Sequence, residues 1–139
     1  MMSLYEDVGG FDRILAVCRR WHELCLDDPL AQHPFSHGMH PQHDERLAAY
    51  LAEAVGGPAL YTAGYGDESS MRRLHAGQGS DADMEEACLR LFDQALSDVG
   101  VTGDAAQCVS AYFRAAAFGF RQYADSADLV PDNLDVNHA

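Results

Sequence analysis

Between residues 11 and 26 the apolar side chains Ile14, Val17, Cys18, Trp21, Leu24 and Cys25 recur at three- and four-residue steps. That spacing lays them along one face of an α-helix, and Asp27-Asp28-Pro29 closes it. A second stripe, Leu47, Tyr50, Leu51 and Ala54, predicts a helix from about Gln42 to Val55, stopped by Gly56-Gly57-Pro58. A third helix is capped by Asp81 or Asp83, carries Glu85 and Glu86 in its first turn, buries Cys88, Leu91, Phe92 and Ala95, and stops at Gly100. A fourth runs from about Asp104 to Tyr123 with Val109, Tyr112, Phe113, Ala116 and Phe120 inward.

Shorter elements fill the gaps. Ser3 and Glu6 have capping-box spacing, which predicts a brief opening helix ending at Gly9-Gly10. Residues 29–41, punctuated by Pro29, Pro34 and Pro41, read as irregular, and residues 59–68 as a loop with short helical pieces. A short helix carries Met71, Leu74 and His75 until Gly77 and Gly79 break it. No sustained two-residue alternation and no hairpin signal occurs. The expected fold is all-α: one domain over residues 1–125 with about five main helices, followed by a polar tail, 126–139, expected to be loosely ordered.

Composition narrows the function. The chain has 139 residues, 47% of them apolar, enough for one real core. Its net charge is −13, and its nine basic residues are all arginine. An acidic chain without a basic cluster argues against nucleic acid and against anionic membrane surfaces as partners. No run approaches the ~18 apolar residues of a membrane span. The start, MMSLYEDVGG, lacks the basic and apolar regions of a secretory signal. Cys18, Cys25, Cys88 and Cys108 are scattered without a CxxC pair, which reads as reduced thiols and a cytoplasmic location.

Candidate chemistry lies in the seven histidines. His22 shares the stripe of Cys18 and Cys25, His43 is in line with Leu47 and Leu51, and His75 follows Met71 by one turn. A single inward histidine is most often a satisfied core imidazole. Three on different inward faces of one small helical domain imply a shared polar pocket between helices, where bundles place cofactors. His37, His40 and His43 form HxxHxxH around Pro41, a weak metal pattern because the proline breaks the helix and no further ligand completes a zinc-like set. GxSxG, HExxH, P-loop and GxGxxG patterns are absent. Ser69-Ser70 reads as a helix start.

Several motifs together resemble the truncated haemoglobins, most closely group II. They are VGG at 8–10 before a helix ending near Trp21-His22, LDDPLAQHPF at 26–35, ERLAAYLAEAVGGPALY at 45–61, and MRRLH at 71–75. The resemblance covers residues 4–99 and fades in the last helix. It implies a two-over-two helical sandwich holding haem b. His75 resembles the proximal iron ligand, and the glycines after it resemble a loose joint. His22 matches the usual distal tyrosine, Phe35 the aromatic on the haem face, and His43 the distal position above the iron, with Leu47 one turn deeper. Met71 lines the same face as His75. Tyr61 and Arg72 match residues that reach haem propionates, and Cys88 falls where group II carries tryptophan.

The chain departs from that pattern at His22, Leu74, Gln78 and Cys88. The resemblance implies a haem protein binding O2, NO, CO or peroxide, with His22 or His43 acting on the ligand, as in a peroxidase or an NO dioxygenase-like oxidoreductase. His43, or less readily His22, is also an alternative sixth iron ligand. Two further readings stay open: a pathway-specific haem enzyme using space beside Cys88, and a haem-free globin-like binding or sensor module. Monomer and homodimer are both compatible with the sequence.

Overall fold

The computed structural model describes residues 3–36 and 39–139. Among them the regular elements are all helical: α1 (Leu4–Asp7), α2 (Gly10–Leu26), α3 (Gln32–Ser36), α4 (His43–Ala54), α5 (Leu60–Gly64), α6 (Glu68–His75), α7 (Ala82–Val99) and α8 (Gly103–Phe120), with 3₁₀ turns at Arg121–Tyr123 and Ala127–Leu129. The long helices α2, α4, α7 and α8 follow the predicted stripes within a few residues. The stretch 29–41 is more regular than expected, because α3 forms across Pro34 and buries Phe35. Proline fits there in the first turn, where its missing N–H costs little.

Helix α2 packs against both α4 and α7, and α7 against α8. The pairs α2/α4 and α7/α8 make the two-over-two sandwich. Fully buried small side chains, Cys18 and Cys25 on α2, Ala48 and Ala52 on α4, and Ala95 on α7, let the helices close tightly. Larger volume comes from an aromatic cluster. Trp21 meets Phe35, Phe92 and Phe113 edge-on at centroid distances of 4.9, 5.8 and 5.2 Å, and Phe92 stacks on Phe113 at 3.8 Å.

The GGP stop has a steric cause. A Cβ on Gly57 would lie 2.5 Å from the Tyr5 ring and 2.7 Å from the Ala52 carbonyl oxygen. Tyr5 needs that place because its hydroxyl accepts the Phe11 N–H at 3.0 Å, tying α1 to the start of α2. Gly100 ends α7 at φ 91°, a left-handed cap that other residues resist.

The expectation of a loosely ordered tail is corrected. Val130 is buried against Ala76 and Tyr123. The Ser69 hydroxyl donates to the Pro131 carbonyl at 2.7 Å and accepts the Leu134 N–H at 3.0 Å. The Tyr112 hydroxyl donates to the Asn137 carbonyl at 2.8 Å, and the Ala139 N–H donates to the Ala54 carbonyl at 2.9 Å. Residues 130–139 thus strap across α6, α8 and the end of α4. The strap is held largely through backbone groups, so its side chains carry no period.

A buried charge sits beneath it. Glu68 is only 1% exposed. One carboxylate oxygen accepts the Tyr50 hydroxyl at 2.7 Å, and the other accepts the Arg72 Nε–H at 2.9 Å. Removing the carboxylate strands a guanidinium that is only 12% exposed together with a buried phenol. Glu68→Ala is expected to cost about 3 kcal/mol or more. Urea unfolding checks this, and a loss within experimental error of zero contradicts it.

Candidate functional site

The site is built from two groups of side chains on different elements. The first hangs on α6. Asp67 caps this eight-residue helix by accepting the Ser70 N–H at 2.7 Å. At its last position, His75 donates Nδ1–H to the Met71 carbonyl at 2.8 Å. That bond fixes the neutral tautomer and leaves Nε2 with a free lone pair, and no other described residue takes it. Phe120 of α8 stacks on the ring at 4.6 Å and 11°. The His75 ring edge is exposed, yet the protein around it lowers its pKa by desolvation; the Met71 carbonyl opposes the shift and the nearby His43 adds to it. The lowered pKa favours the neutral ring.

The second group is contributed by α2, α3 and α4. Phe35 lies 5.1 Å from His22 and 5.9 Å from His43, and the two imidazoles lie 5.7 Å apart, edge to face. Asp44 lies between them. One oxygen, Oδ1, is 2.8 Å from His22 Nδ1 and 3.1 Å from His43 Nδ1. All three side chains are roughly a quarter exposed, so the cluster faces an accessible space.

The other predicted site residues fall in different places. Met71 is buried one turn before His75, and Leu47 is half-buried one turn after His43. Cys88 is half-buried between α2 and α7. The neighbouring Cys25 holds the pKa of Cys88 down against burial, while Cys88 and burial together push that of Cys25 up. The Cys88 carbonyl accepts the Trp21 indole N–H at 2.9 Å. The indole of this region therefore comes from α2, while α7 supplies only a small side chain. Tyr61 and Arg72 both make contacts within the protein. Tyr61 is buried edge-on to Tyr50 at 5.4 Å, and Arg72 spans Glu68 and the Tyr123 ring. His40 turns onto its own backbone, accepting the Gln42 N–H, and His37 lies outside the described residues. The joint after His75 is not loose: Gly77 and Gly79 donate their N–H groups to the carbonyls of Tyr123 and Ala124, each at 2.9 Å.

Sequence reasoning missed Asp44 and Phe120 as site residues. Asp44 looks like an ordinary first-turn acid of α4. Phe120 was legible as an inward residue of the last helix but not as the partner of His75.

The bacterial-like globin family matches residues 3–118. The chain belongs to that family. It is a truncated globin, and haem is the cofactor of its fold. No functionally curated protein matches its sequence. Among solved structures it resembles the haemoglobin of Chloroflexus aurantiacus, with 26% identity, a TM-score of 0.74, and coverage of 86% of this chain and 98% of that one. It also resembles the group II truncated haemoglobin of Bacillus anthracis, at 22% identity and TM-score 0.74, covering 91% and 93% of the two chains. The group II two-on-two haemoglobin of Agrobacterium tumefaciens gives 23% identity and TM-score 0.74 over 87% and 95%.

The cap of α6 generates a pH prediction for this globin. The Ser70 backbone and side chain hold the Asp67 carboxyl below its ordinary pKa. A lowered folded pKa contributes stability that is complete above the unfolded carboxylate value and is lost as pH falls through the folded one. Asp67→Ala is therefore expected to lower the thermal midpoint at neutral pH, with the gap from wild type narrowing in acid. A gap that widens as pH falls contradicts the cap.

Proposed function

We propose that this globin binds haem b through Nε2 of His75 and takes a small ligand, diatomic or peroxide, on the side of His22, Phe35 and His43. The observation that carries this reading is the His75 hydrogen bond. Nδ1–H is satisfied by Met71, Nε2 has no partner among the described residues, and the ring, stacked on Phe120, is biased by its surroundings toward the neutral form. A neutral imidazole with its second nitrogen anchored is the form that ligates haem iron. A haem-free binding module has no need of that anchored donor.

The bound haem would supply an iron centre able to hold O2, NO, CO or peroxide. The chain's own residues do the rest. Asp67 and Glu68 hold α6 in place, and Met71 and Phe120 fix the ring of His75. Phe35 and Leu47 give the ligand side an apolar lining. His22 and His43, packed against Phe35, would face a bound ligand, and Cys88 would lie beside Cys25. Among the described residues no helix is long and apolar enough to cross a membrane. A chain with four free thiols suits the cytoplasm.

His75→Ala tests the proximal assignment. The variant, passed through a desalting column after hemin addition, is expected to lose most of its Soret absorbance while its far-ultraviolet dichroism stays helical. Full haem occupancy in the folded variant contradicts the assignment.

A further inference from the structure

Asp44 is the unexpected feature of the ligand side. Its Oδ1 lies 2.8 Å from His22 Nδ1 and 3.1 Å from His43 Nδ1. A carboxylate oxygen offers only lone pairs, so an unprotonated Nδ1 at either distance would face it lone pair to lone pair. Each Nδ1 must therefore carry its hydrogen and donate it. In a neutral imidazole the proton can sit on only one nitrogen. Both Nε2 atoms are then bare acceptors, and no other described residue bonds to them. Phe35, packed against both rings, limits their turning.

We infer that Asp44 is a positioning residue that fixes His22 and His43 in the Nδ1–H tautomer, so that the ligand side of this globin accepts protons and selects ligands that bring one, hydrogen peroxide or an organic hydroperoxide. The inference rests on haem ligation by His75. A dioxygen ligand would draw negative charge on binding and would need an N–H donor to stabilise it. Two bare Nε2 atoms offer it repulsion. A hydroperoxide meets the opposite situation, since its O–H donates to Nε2. Moving that proton leaves the O–H electron pair on the ligand oxygen and makes an imidazolium. The new positive charge forms directly beside the Asp44 carboxylate, which stabilises it. Carbon monoxide, nearly neutral when bound, is a control that senses neither polarity strongly.

Two measurements on the full chain, loaded with hemin, test this. The first is long-range proton–nitrogen NMR of the histidine rings in the reduced, carbon monoxide-bound protein, above the ordinary imidazole pKa. His22 and His43 are expected as Nδ1–H tautomers in wild type, and at least one is expected to switch to Nε2–H in Asp44→Leu. Hydrogen on Nε2 of either ring in wild type overturns the inference. The second is the rate of the Soret change on adding hydrogen peroxide to the ferric protein, set against the carbon monoxide association rate of the ferrous protein. Asp44→Leu is expected to slow the peroxide reaction by about a hundredfold and the carbon monoxide reaction by less than about threefold. Equal loss in both, or none in either, overturns it. If Asp44→Leu does not fold, Asp44→Asn serves, since its amide has one acceptor oxygen and cannot stabilise an imidazolium by charge. Failure of haem uptake reads separately as a colourless protein. The ring tautomers are then measured on that same chain, where hydrogen on either Nε2 still overturns the Asp44 assignment.

Discussion

An eight-residue helix carries His75, the proposed haem ligand, and a helix that short is not stable in water by itself. Almost everything around α6 compensates for this. Asp67 caps its first turn. Glu68 reaches into the core to Tyr50 and takes Arg72 as its counter-ion. Ser69 bonds the C-terminal strap twice, and Arg73 pairs with Asp132 and the Val130 carbonyl of the same strap. Gly77 and Gly79 pin the exit to the end of the 3₁₀ turn that follows α8. A buried carboxylate is costly, so this arrangement trades stability for a fixed orientation of one side chain. Where α6 sits, His75 sits.

The two sides of the pocket treat their histidines differently, and the second atom of each hydrogen bond decides how. On the α6 side a neutral backbone carbonyl holds Nδ1–H of His75. On the α2/α4 side one carboxylate serves two imidazoles. The first environment suits a steady iron ligand, and the second suits a group that receives a proton. Departures from the group II pattern fit this division. In the resemblance to group II, His22 replaces a hydroxyl donor, and the indole N–H of Trp21 on α2 is spent on the Cys88 carbonyl.

Much of the architecture was legible in the chain. The four long helices follow from apolar stripes and from the glycine and proline stops, which act locally. His22, His43 and His75 were legible because each lies on an inward face. Asp44 was not, because its role depends on how closely α2 approaches α4, and a lone acid at a helix start looks like a dipole partner. Glu68 hid for the same reason. The resemblance singled out Arg72 for its guanidinium, but not Glu68, which takes its Nε–H in the structure. The strap at 130–139 escaped because backbone hydrogen bonds leave no period in the side chains.

The measurement that bears most directly on the central claim is the visible absorption spectrum of the hemin-treated protein, oxidised, then reduced, then under carbon monoxide. A haem held by His75 with an accessible opposite face predicts a Soret band that shifts when carbon monoxide is added to the reduced form. A protein that stays colourless after hemin treatment, or a reduced spectrum that carbon monoxide leaves unchanged, would contradict it.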